Sequence, residues 1–192
     1  MLSAVAGYLS GIVILISFLP YIRDIFKGRT KPEKYSWLIW AFLGAIAFFS
    51  QFAKGASHSL IMTGAQFLGD LSIFLLALKY GFGGFLKRDK IALAGAGASL
   101  ILWYITREAA VALFIVIFID AIGVFLTAIK AYENPGTETA STWALTFAAG
   151  ILGCIAVGKF NLILLAFPFY IALAGAAILL AMKFGFWKIN KA

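Results

Sequence analysis

Thiol and metal chemistry have almost no residues to work with in this chain, which holds one cysteine, one histidine and four prolines in 192 residues. Cys154 and His58 alone cannot assemble a His/Cys metal cluster, and a single thiol inside an apolar run offers no disulfide framework. A Ser/His/Asp set is unsupported because the one histidine stands at the edge of an apolar run. No glycine-rich phosphate loop follows a strand-like segment, so nucleotide-driven chemistry has no site. Lys183 stands at the end of the last apolar run rather than in its middle, where a retinal linkage would need it. Charge is scarce too: 12% of the residues are charged, against about 25% in an ordinary soluble domain. The sequence therefore predicts no enzyme, no cofactor and no metal.

Apolar length is what the chain does have, with 63% hydrophobic residues and a mean hydropathy of +0.99. A segment of about 18 to 20 apolar residues spans a bilayer. Seven such spans are expected: Ala4–Arg23, Ser36–Ala53, Ser59–Lys79, Ile91–Thr106, Val111–Lys130, Thr142–Val157 and Asn161–Lys183. Each must be helical, because an unpaired backbone amide in hydrocarbon costs several kcal/mol, and the runs lack the alternation of a membrane strand. The N-terminal run has no basic leader and is long enough to span, so it reads as a helix rather than a signal peptide.

The formal charge of +8 sits at helix ends, which fits anionic lipid headgroups better than nucleic acid. With the N-terminus outside, all of the 16 basic residues except Lys54, Arg107 and Lys159 fall on the cytoplasmic side, including Lys27, Arg29, Lys31, Lys87 and Lys191. That bias predicts an outside N-terminus and a cytoplasmic C-terminus, in a bacterial or archaeal plasma membrane. Trp37, Trp40, Trp143 and Trp187 fall near the cytoplasmic boundary and Trp103 near the outer one, as interfacial anchors do.

The chain also repeats itself. Phe26-Lys27, Pro32 and Ser36-Trp37 are answered by Ile129-Lys130, Pro135 and Thr142-Trp143, and Ala77–Phe82 by Ala181–Phe186. Two units of three spans, 1–86 and 110–192, are thus expected about a linker helix at 87–109. The fold predicted is all-α integral membrane, a 3+1+3 plan of two parallel three-helix bundles, since one intervening span starts both units on the same side. In the linker, Gly95 and Gly97 predict close helix approach.

Ionisable residues in mid-membrane cost about 2.5 to 3.5 kcal/mol on insertion scales and usually serve function. Asp70 in TGAQFLGDLS and Asp120 in FIVIFIDAIG are the two here. Asp70, Gln66 and Thr63 share one helical face, and Trp40, Gly44, Ala47 and Gln51 share a stripe of the second span. The repeat sets Asp120 against Ser17 and Asp70 against Ala174, so the carboxyls are not symmetry mates. They would line a substrate or proton path, or else tie helices together by hydrogen bonds. Ser17, Gln51, Thr146 and Tyr170 are further candidates for the same pocket, although serines and threonines often bond their own helix. Pro20 and Pro168, the prolines inside spans, are candidate hinges.

This layout resembles the SWEET and PQ-loop transporter superfamily, whose eukaryotic members join two three-helix bundles through one linker helix. The family's Pro-Gln pair stands here as Pro20-Tyr21, with Gly123-Val124 at the aligned place in the second unit. The resemblance implies alternating access about a central pocket, with a small polar metabolite such as a sugar, an amino acid or an amine as substrate. Asp70, Gln66 and Gln51 would face that pocket from one unit and Asp120, Thr146 and Tyr170 from the other. The plan is also similar to that of PnuC vitamin transporters, and the KDEL receptor shows the same general fold serving a receptor. The partners expected are a small-molecule substrate and the lipid bilayer, and a homo-oligomer is compatible with either role.

Overall fold

A computed structural model of the chain describes residues 1–28, 32, 34–81, 87–133 and 139–189. Expectations that rest on Arg29, Lys31, Phe82, Pro135 and Lys191 lie outside the described residues. Seven α-helices make up the described chain, with no strand among these residues: α1 Leu2–Phe26, α2 Lys34–Ala53, α3 Leu60–Tyr80, α4 Lys87–Thr106, α5 Ala109–Glu133, α6 Ala140–Val157 and α7 Leu162–Ile189. Five of them, α1, α3, α5, α6 and α7, are long and apolar enough to cross a membrane. In α2 and α4 the apolar stretch is shorter, Trp37–Ala53 and Leu93–Thr106, because polar residues fill the first turn of each. The chain is an all-α membrane protein by these measures.

Helix ends follow local chemistry. Gly28 and Gly158 stop α1 and α6 in the left-handed region, with φ of 66° and 72°, where a Cβ would be strained. The Asn161 side chain opens α7 by accepting the amides of Ile163 and Leu164, both at 3.1 Å. Pro20 and Pro168 both sit inside helices that run unbroken through them.

The helices pack in a closed order. α1 lies between α3 and α6, α3 carries α2 on its other side, α2 meets α5, α5 meets α7, and α7 returns to α6. α4 stands outside this ring against α5 and α2. A core of buried apolar side chains, including Ile14, Phe18, Leu43, Met62, Ile73, Leu113, Val116 and Phe167, runs through the centre. The outward surface is also apolar, with Phe118 69% and Phe125 64% exposed. In water such a surface would be unstable, and in lipid it is solvated.

Small residues set the spacing. A Cβ added to Gly44 of α2 would sit 3.2 Å from Phe67 Cα of α3, and one on Gly150 of α6 would overlap the backbone of Ala172 in α7. Gly95 brings α4 onto Ile119 of α5, whereas a Cβ on Gly97 would meet nothing. Two residues apart on a helix is about 200° of rotation, so only one of that pair can face the neighbour. The expectation of a shared role for Gly95 and Gly97 is corrected accordingly.

Candidate functional site

The polar faces of α2 and α3 turn toward each other. On α3, Thr63, Gln66 and Asp70 recur at spacings of three and four residues, which stacks them along one side of the helix. On α2 the stripe Trp40, Gly44, Ala47, Gln51 does the same. Contact between the two is made at both ends of the seam. Thr63 Oγ1 donates to Gln51 Oε1 at 3.3 Å, and the Asp70 carboxyl lies 3.6 Å from where a Gly44 Cβ would stand. A Cβ there would touch the carboxyl at ordinary van der Waals distance, and its tighter neighbour would be Phe67 Cα at 3.2 Å. Ala47 between them is fully buried.

Asp70 is 5% exposed and sits in the middle of α3. Among the described residues one side chain serves it: Gln66 Nε2, one turn away, donates to both carboxyl oxygens at 3.2 Å. Gln66 Oε1 is buried and unpartnered among the described residues, as is Nε2 of Gln51. Gln51 itself is completely buried. A buried amide lacking half its bonds is costly, about 1 to 3 kcal/mol for each orphaned group, so the seam holds unspent hydrogen-bonding capacity.

Asp120, half-buried in mid-α5, is held differently. Tyr170 of α7 donates its hydroxyl to Asp120 Oδ2 at 2.5 Å, and the Trp40 indole of α2 stands near the same carboxyl. The indole N–H can only donate. Because α2 separates α3 from α5, its Trp40 and Gly44 stand one turn apart facing different carboxyls. Neither Asp70 nor Asp120 forms an ion pair with a cationic side chain among the described residues. Behind Trp40, Trp37 lies at 4.9 Å between ring centroids and Tyr21 of α1 at 5.1 Å from Trp37. These rings fill the seam on the side away from Gln51.

The other predicted residues fall as follows. Ser17 is buried, but its hydroxyl donates to Ile14 O of its own helix at 2.6 Å. Its carbonyl accepts a bond from Thr142 of α6 at 3.4 Å, and Thr146 is half-buried one turn beyond that threonine. Pro168 is fully buried and packs against Gly153 of α6, where an added Cβ would lie 3.0 Å from it. Pro20 is half-buried in α1. Trp40, expected near the cytoplasmic boundary and on the Gln51 stripe, is half-buried with its indole near the Asp120 carboxyl.

A cavity of about 550 Å³ opens away from the carboxyls, at the end of the molecule bordered by Met1, Cys154, Gly158, Lys159 and Phe160. No group of three or more metal-ligating side chains occurs among the described residues. No protein-family model, no curated protein and no solved structure matches this chain.

Proposed function

We propose that this chain is a seven-span transporter that moves a small polar metabolite by alternating access, with Asp70 as the principal substrate contact. The observation that carries this reading is a buried mid-helix carboxyl with no cationic partner among the described residues, reached by a polar seam in an otherwise apolar membrane protein. Such a group is expensive to keep in a membrane and most often marks a substrate or ion path.

The 3+1+3 plan, with bundles 1–86 and 110–192 about a linker at 87–109, is part of the same proposal and draws support from packing. α1, α3 and α2 pack in the order in which α5, α7 and α6 do, and the contact of α1 with α6 answers that of α2 with α5. Gly44 against Phe67 has its counterpart in Gly150 against Ala172. The alignment that sets Lys79 against Lys183 also sets Gln66 against Tyr170, so each unit offers one carboxyl donor from the same place. The bundles would rock about the α2–α5 and α1–α6 seams, with the N-terminus outside as the basic residues favour.

In this mechanism the two carboxyls differ. Asp120 is committed to Tyr170 and ties α5 to α7. Asp70, with one neutral donor, keeps lone pairs for a guest. The test is uptake into proteoliposomes by the purified chain, compared with Asp70→Asn. Loss of uptake with folding retained is the expected result; full uptake by Asp70→Asn would reject this site. A protein that binds solute but carries none would be a receptor on the same plan.

A further inference from the structure

The transported group can be narrowed by counting which hydrogen-bonding atoms at the Asp70 seam are unspent, an argument that rests on the seam being the substrate site. Two kinds of acceptor remain there. The Asp70 carboxylate has about four lone-pair sites, of which Gln66 Nε2 uses one on each oxygen. Gln66 Oε1 is buried with no donor. One amide donor remains, the buried Nε2 of Gln51, on a side chain whose oxygen is already bonded to Thr63. The balance favours a guest richer in donors than acceptors.

Charge points the same way. Asp120 is a second acidic group on α5, the helix on the other side of α2, and no lysine or arginine among the described residues pairs with either carboxyl. A carboxylate or phosphate guest would meet like charge in a medium where that costs several kcal/mol. A neutral polyol would satisfy hydrogen bonds but would leave the charge unmatched. An ammonium group does both, since it has three donors and no acceptor.

Spacing sets the rest of the guest. Thr63, which Gln51 touches, precedes Gln66 by three residues and Asp70 by seven, or about 5 to 10 Å along the helix. We propose that the seam takes a small organic ammonium ion with a hydroxyl or amide carbonyl a few bonds away. Its nitrogen would lie between Asp70 and Gln66 Oε1, and its acceptor against Gln51 Nε2.

The experiment is thermal unfolding and equilibrium binding of the full chain in detergent with 4-aminobutanamide, 3-amino-1-propanol, propylamine, 1,3-propanediol, butyrate and sodium chloride as probes. Binding to the native conformation raises apparent stability by mass action. The aminoamide and aminoalcohol are expected to bind most tightly, propylamine more weakly, and the diol and butyrate least. Asp70→Asn should weaken the amines at least tenfold. Gln51→Met should remove the advantage of the aminoamide over propylamine.

Tighter binding of butyrate or the diol than of any amine, no response to the amines, or an equal response to sodium chloride would each overturn the assignment on the unaltered protein, whether or not the variants fold. Amine binding undiminished in a folded Asp70→Asn would do so as well. The outcome is separable from that of the transport reading. Amines bound but not taken up would leave this inference standing and remove transport, whereas uptake of a neutral or anionic solute without amine binding would do the reverse.

Discussion

Tyr170 on α7 donates its hydroxyl to Asp120 on α5 across 2.5 Å, which ties these two helices together near the middle of α5. Tyr170→Phe keeps the ring, which lies 6.4 Å from Phe167, and removes only the donor. The expected cost is about 1 to 2 kcal/mol, at the upper end for a hydrogen bond between membrane helices. Unfolding in detergent reads it directly. Unchanged stability would mean that the bond is not formed in the membrane.

Gly150 and Gly44 should differ in what they tolerate. At Gly150 a Cβ meets the Ala172 backbone, which cannot yield without moving α7, whereas at Gly44 the nearest atom is 3.2 Å away. Gly150→Ala is expected to cost about 3 kcal/mol or more and Gly44→Ala about 1 kcal/mol. The added methyl at Gly44 should also weaken ligand binding at the neighbouring Asp70. An equal cost at both positions would argue against the α6–α7 spacing.

Asn161 caps α7 with one oxygen on two amides. Asn161→Ala should cost about 1 kcal/mol, and Asn161→Asp should restore most of it, as N-cap series do. Circular dichroism melts of the three proteins would decide the point, with an aspartate no better than alanine counting against the cap.

Lys54, after α2, pairs with Glu108, just before α5, at 2.5 Å, with side chains 27% and 57% exposed. The pair is solvent-facing, so its removal by Glu108→Gln should cost less than about 1 kcal/mol and the difference should shrink as salt rises. A larger, salt-insensitive cost would show that this end of the molecule is drier than its exposure implies.

The helices were legible because an apolar run in hydrocarbon has no other way to satisfy its amides, and five of the seven are long and apolar enough to cross a membrane. Their ends were less so. α5 and α7 extend beyond the expected Lys130 and Lys183 to Glu133 and Ile189, since a helix can continue into polar surroundings after its apolar residues stop. The face holding Thr63, Gln66 and Asp70 was also legible, being a matter of local spacing. Ser17 illustrates the opposite case. Its hydroxyl reads as a candidate ligand, yet it bonds the carbonyl three residues back, a choice open to any helical serine.

Composition and periodicity, then, determined that the molecule is helical, that it belongs in lipid, and that α3 carries one polar face; each follows from a property of a single segment. Only the assembled bundle decided that Tyr170 would bond Asp120, and that Asp70 would be left with one neutral donor beside two half-satisfied amides. Those outcomes depend on which helix lies beside which, and neighbours far apart in the chain are selected by the fit of small residues such as Gly44 and Gly150 rather than by any local pattern.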